Sequence, residues 1–133
     1  MINHHAIWPT LRAENAPALI DFLEYAFGFE LIVRYGDETT VDHAELAWPQ
    51  GGAIMLGSHK QESEPAEWAL QPGTAGIYLF EPDPFGLFDR ATAAGATELR
   101  APHTTEYGST ECSFKDPEGN QWSFGTYRGA ADL

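Results

Sequence analysis

Basic residues are scarce: 7 lysines and arginines stand against 20 aspartates and glutamates, for a formal net charge of -13. Nucleic acids and anionic membrane surfaces both require cationic patches, so the imbalance argues against either as a partner. It permits a cationic or neutral ligand, and it equally suits an acidic surface that only keeps the chain in solution. Cysteine is almost absent. The single Cys112 cannot form an internal disulfide, which points to a reducing cytoplasm. Only Lys115 offers a basic group nearby, so Cys112 reads as a buried structural thiol and not as a nucleophile. No apolar run reaches membrane-spanning length, the N-terminus lacks a signal-peptide pattern, and no segment is of low complexity. Ser-His-Asp spacing, a nucleophile elbow and a phosphate-cradling glycine loop are all missing.

What is present is enough for a packed core: 43% hydrophobic residues, 13% of the chain aromatic. A length of 133 residues gives one domain, or two small halves that share a core. The halves repeat. Asn15 caps a short helix with Pro17 in its first turn and Gly28 at its end, and Leu19, Ile20, Leu23, Ala26 and Phe27 fall at helical spacing. Asp83, Pro84 and Gly95 mark a second such helix, and Leu19-Ile20-Asp21 precedes Leu87-Phe88-Asp89 by 68 positions.

Strand-like segments surround each helix: 6–11, 30–35, 41–48 and 53–56 in the first half, and 76–81, 97–101, 109–115 and 121–126 in the second. The last two enclose Asp116-Pro117-Glu118-Gly119-Asn120, in which Pro117 presets φ and Gly119 and Asn120 tolerate the positive φ that closes a reversal. Between the halves, 59–73 is rich in Glu, Gln and Pro and reads as a linker or lid, with Trp68 as an anchor or a flap. The pattern is βαβββ twice. It defines an α+β fold in which two modules (about 5–58 and 75–128, joined by a linker at about 59–74) place each helix on one face of a curved mixed sheet and leave the other face to a cleft.

Several segments carry a family resemblance: Leu11-Arg12-Ala13-Glu14-Asn15, Ala26-Phe27-Gly28-Phe29-Glu30, His43-Ala44-Glu45-Leu46, Ala93-Ala94-Gly95-Ala96-Thr97, Tyr107-Gly108, and the run from Asp116 to Ser123. In this order the chain resembles the vicinal oxygen chelate superfamily of glyoxalases, bleomycin-resistance proteins and dioxygenases, and in particular its PhnB-like glyoxalase subgroup. The resemblance spans about Ile7 to Tyr127 and implies a glyoxalase-like cleft. In metal-using members, cleft-facing positions on the first and last strand of each module carry His, Gln or Glu. Here those positions fall on Trp8, Met55, Gly76 and Ser123, which supply no normal ligand set for a divalent ion. The resemblance therefore implies a metal-independent binder of a small organic molecule, cationic or aromatic, and a homodimer in the manner of bleomycin-resistance proteins. The alternative is a metal-dependent lyase or dioxygenase with an unconventional site, and a partner-binding module is a third.

Strand alternation sorts the side chains. Ile7 and Leu11, Ala44 and Leu46, Ile54 and Leu56, Ile77 and Leu79, and Trp122 and Phe124 should pack under the helices. The opposite face should present Trp8, His43, Glu45, Met55, Tyr78 and Ser123 to a ligand, with Tyr107 at the rim. Trp8 and Tyr78 suit stacking on a ligand or packing between the halves, and Trp48 a strand-end plug or a dimer contact. None of His4, His5, His43, His59 and His103 sits in a strong metal-spacing motif. His43 is the best candidate base. It and Glu45 share a strand face as two ligands or as a polar pair, about 7 Å apart by strand rise, so a direct hydrogen bond is not assured.

Overall fold

The computed structural model describes residues 5–59 and 70–130. Trp68 and His4 lie outside the described residues. The elements run β1 (Thr10–Ala13), α1 (Ala16–Phe22) continued by a π-helical turn (Leu23–Phe27), β2 (Glu30–Gly36), β3 (Val41–Ala47), β4 (Ala53–Ser58), β5 (Gly76–Phe80), α2 (Pro84–Ala93), β6 (Thr97–Thr104), β7 (Thr110–Lys115) and β8 (Gln121–Gly125). Two four-stranded mixed sheets result, ordered β1-β4-β3-β2 and β5-β8-β7-β6. In each, the first strand of the module runs parallel to the last and the remaining pairs are antiparallel. This is the α+β architecture of two βαβββ modules.

The caps act as their residue types suggest. The Asn15 carboxamide accepts from the Ala18 amide at 3.2 Å, and the Asp83 carboxylate accepts from Gly86 at 3.1 Å. Gly28 closes the first helix at φ 91°, where a Cβ would lie 2.9 Å from Nη1 of Arg90. That guanidinium donates to the carbonyls of Tyr25 (2.9 Å) and Glu24 (3.0 Å). A cation from α2 thus satisfies the negative end of the first helix and ties the two modules together.

Both modules contribute to one core. The Phe27 ring packs on Phe124, Trp122 and Phe114 at 4.8, 5.8 and 6.1 Å, and Phe29 packs on both Trp48 (5.0 Å) and Trp122 (5.5 Å). Leu11, Ala44, Leu46, Ile54, Leu56, Leu79, Trp122 and Phe124 are buried as their parity requires, while Ile77 is partly buried against this core. Ile7 is not: it is 86% exposed. The expected strand at 6–11 begins only at Thr10, because Pro9 has no amide to donate to a ladder. Trp8 therefore precedes the sheet instead of lying in it.

The repeat extends to two turns that were not matched from sequence. Trp48-Pro49-Gln50-Gly51-Gly52 and Asp116-Pro117-Glu118-Gly119-Asn120 form the same paired hydrogen bonds, Trp48 N to Gly52 O and Asp116 N to Asn120 O, each 3.0 Å. Each turn also reaches into the other module. The Trp48 indole donates to the Phe80 carbonyl at 2.9 Å, so this residue is a strand-end plug. The Glu118 carboxylate accepts from the amides of Glu14 (2.8 Å) and Asn15 (3.0 Å) at the start of α1.

Asp116 is buried and accepts four hydrogen bonds, from the amides of Glu118 and Asn120, the Asn120 side chain and the Trp122 indole, at 2.8–3.1 Å. Asp116→Ala leaves these donors unmet in the interior and is expected to cost roughly 3 kcal/mol or more in urea unfolding. Cys112 is fully buried, and burial together with the Glu81 charge pushes its thiol up to about 12. The native thiol is expected to resist alkylation at mildly alkaline pH and to react once the chain unfolds. Because the folded value lies above the ordinary 9.0, the unfolded thiol ionises first, so stability is lost as pH rises from 9.0 towards about 12.

Candidate ligand-binding cleft

The outward face of the first sheet carries His43, Glu45 and Met55. Glu45 lies directly across from Met55, which in turn faces Thr10. His43 Nε2 and Glu45 Oε2 are 2.8 Å apart, with the two side chains 39% and 29% exposed. The direct hydrogen bond that strand rise alone did not assure is therefore made. A register shift lies just ahead of the pair: Tyr35 faces His43, while Gly36 already faces Val41, so Asp42 is an extra residue that bends β3. The Tyr35 ring stacks along His43 at 6.4 Å with an interplanar angle of 23°. Imidazole and carboxylate thus form a ready-made acid–base pair on an open face.

The second sheet's outward face carries Gly76, Tyr78, Ser113 and Ser123. Tyr78 faces Ser123, and the Ser123 and Ser113 hydroxyls are 2.9 Å apart. The Tyr78 hydroxyl donates to the Tyr127 carbonyl at 2.7 Å, and Tyr107 donates to Glu111 Oε2 at 2.9 Å. Burial raises Tyr78 above the ordinary phenol value, with the Glu111 charge adding to it. For Tyr107 the main cause of a rise is the hydrogen bond that its protonated form makes to Glu111, followed by burial.

An opening of about 210 Å³ lies between the modules. Ile7, Pro9, Ala53 and Ile54 line it from one module and Tyr78 and Phe80 from the other, with Phe29 and Trp48 also in its wall. Of the residues expected to bind ligand, Tyr78 alone lines this opening. His43, Glu45 and Met55 sit together on the first sheet, and Tyr78 and Ser123 on the second, with Tyr107 near them through Glu111. No described hydrogen bond, ion pair or ring contact joins the two sets. Trp8 belongs to neither: its indole donates to the His5 carbonyl at 2.9 Å and its ring meets His5 edge-on. Phe80 lines the opening on the same strand face as Tyr78, whereas Ile7 and Pro9 were missed as lining residues. The signal available was Pro9 itself, which frees the segment before it from the sheet.

The four positions expected from the resemblance to hold a metal offer poor donors. Trp8 and Gly76 have no donor to offer, Met55 has a soft thioether, and the Ser123 hydroxyl is paired with Ser113. Among the described residues no three His, Cys, Asp or Glu side chains converge. His59 pairs with Glu14 at 2.8 Å, and His103 donates Nδ1–H to the Ala101 carbonyl at 3.1 Å. Among the described residues no helix is long and apolar enough to cross a membrane.

Residues 2–124 match the Glyoxalase/Bleomycin resistance protein/Dioxygenase superfamily, and the chain belongs to it. Its fold is similar to that of TioX from a Micromonospora species, with 26% identity over 92% of this chain and 98% of that one and a TM-score of 0.75. It is also similar to a superfamily member from Sphaerobacter thermophilus (20% identity, 94% and 98% covered, TM-score 0.73) and an integron cassette protein of V. cholerae (23%, 96% and 98%, TM-score 0.72). A search of the curated proteins finds no match.

Titration of the phenols by ultraviolet difference absorbance tests the electrostatics of the second face. Glu111→Ala, which removes both the acceptor and the charge, is expected to bring Tyr107 down towards the ordinary 10.0, since its main cause of elevation is removed. An unchanged Tyr107 transition would contradict the hydrogen bond.

Proposed function

We propose that the protein is a metal-independent binder of small organic molecules, acting by sequestration of a partly aromatic or cationic compound in the cleft between its modules. What supports this reading is an opening lined mainly by apolar side chains, together with Trp8, Met55, Gly76 and Ser123 at the positions where the family resemblance would expect metal donors. Among the described residues a Lewis-acid step finds no donor set to hold its metal, whereas apolar walls with a few polar tips suit a small molecule. Within the superfamily we propose the PhnB-like subgroup, a reading supported by the motif set. A lone buried thiol agrees with a cytoplasmic location.

We also propose a homodimer. β1 and β5 each form one edge of their sheet, and Ile7 and Tyr78 are exposed beside the opening they flank. Unpaired edges with apolar neighbours are the kind of surface that a second copy covers.

The test uses untagged protein, elemental analysis, and a screen of aromatic and cationic compounds by thermal shift and tryptophan fluorescence in the presence of a chelator. The proposal expects no stoichiometric metal and a ligand that raises Tm by several degrees, which corresponds to about 2.7 kcal/mol at 100 times Kd. Ala53→Trp, which fills the opening with an indole, is expected to abolish binding of that ligand while leaving the protein folded. Stoichiometric zinc, manganese, iron or nickel, or a screen without a single hit, would overturn the reading.

A further inference from the structure

Across the second sheet, Gly125 lies between Phe80 on β5 and Glu111 on β7. A Cβ at Gly125 would stand 2.6 Å from Glu111 Cγ and 2.8 Å from the Tyr78 hydroxyl. Only a glycine lets the carboxylate and the phenol converge over the sheet. Two more rings close this corner. Tyr107 and Tyr127 meet edge to face with centroids 5.3 Å apart, and Tyr107 is hydrogen-bonded to Glu111. Three tyrosines and one carboxylate therefore share a small area, with the rings 37–64% exposed.

Such exposure is costly to leave without purpose, and the chemistry selects one kind of occupant. Ring faces attract a cation through their quadrupoles, and a carboxylate adds a full opposite charge. An anion would be repelled by Glu111. A hard divalent metal would find one carboxylate where it needs several oxygens. The neighbouring charges are Arg128, whose guanidinium already lies 4.1 Å over the Phe80 ring, and His103, opposite Glu111 on β6. Arg128 engages Phe80, so that ring is excluded from the count, but its position shows that rings on this face do hold cations.

We propose that Tyr78, Tyr107, Tyr127 and Glu111 form a subsite for the ammonium group of an organic cation. This rests on the small-molecule reading above and names the charged end of its ligand. The rings flank the alkylated nitrogen while Glu111 neutralises its charge, and any apolar remainder of the molecule extends past Tyr78 to the opening between the modules. Tyr78 is the residue common to the opening and the subsite.

The test is an NMR-detected titration of the whole protein with choline and with its uncharged carbon isostere, dimethylbutanol. Choline has no aryl group, so its behaviour is independent of whether aromatic compounds fill the opening. Choline is expected to bind at least about tenfold tighter than the isostere. Glu111→Gln and Tyr107→Leu should each weaken choline by about fivefold or more with unchanged Tm, while Ala53→Trp should leave it unaffected. Equal affinity for choline and isostere, no response to choline, or full affinity in both subsite variants would overturn the inference. Binding of aryl compounds would then persist, and the broader reading with it.

Discussion

The buried carboxylate of Asp116 organises the closing hairpin, and much of the domain depends on that hairpin. Four donors converge on it, one of them the indole of Trp122. The indole is thereby fixed in orientation, and its ring becomes a rigid wall for Phe27 and Phe29 from the other module. Two residues further along the same turn, Glu118 receives the amides of Glu14 and Asn15, just ahead of α1. A single polar knot thus sets the β7–β8 reversal, the central aromatic of the core and the start of a helix distant in sequence. The equivalent turn in the first module has Trp48 where Asp116 stands, and it bridges in the opposite sense, to Phe80. The repeat is conserved as geometry while its chemistry differs.

This reciprocal bridging explains why two modules that cannot each bury their sheet alone make one stable unit. Their apolar faces and helices meet in one core, so each sheet keeps an outward face free of core duties. The two outward faces have diverged. One presents an imidazole–carboxylate pair beside Tyr35, and the other presents hydroxyls, phenols and one carboxylate. In neither do the side chains converge as metal donors would, and superfamily membership settles the fold without settling the chemistry.

Much of this was legible in the sequence because local rules acted without competition. Asn15, Asp83, Gly28 and Gly95 bound helices where capping chemistry says they should, and the Asp-Pro-Glu-Gly-Asn turn lies between two strands with Trp122 in the core. The misplaced element was β1. Apolar alternation favoured 6–11, but Pro9 removes the amide a ladder needs, so the strand starts at Thr10 and Ile7 lines an opening instead of a core. The His43–Glu45 contact was left open because strand rise fixes only the backbone spacing, whereas the side-chain conformations close the gap. Tyr107 was expected at a rim, yet its company could not be read: Tyr127 and Glu111 approach it through tertiary geometry, and the role of Gly125 is a matter of space between strands.

Amide chemical-shift mapping of the whole chain with an aryl ligand in excess chelator tests the central claim most directly. The account predicts ligand-induced shifts on β5, at Trp48 and at 51–54, with His43 and Glu45 little changed by added divalent metal. It would be contradicted if the ligand produced no shifts until a metal was supplied, or if the metal itself shifted residues around His43 and Glu45 at stoichiometric concentration.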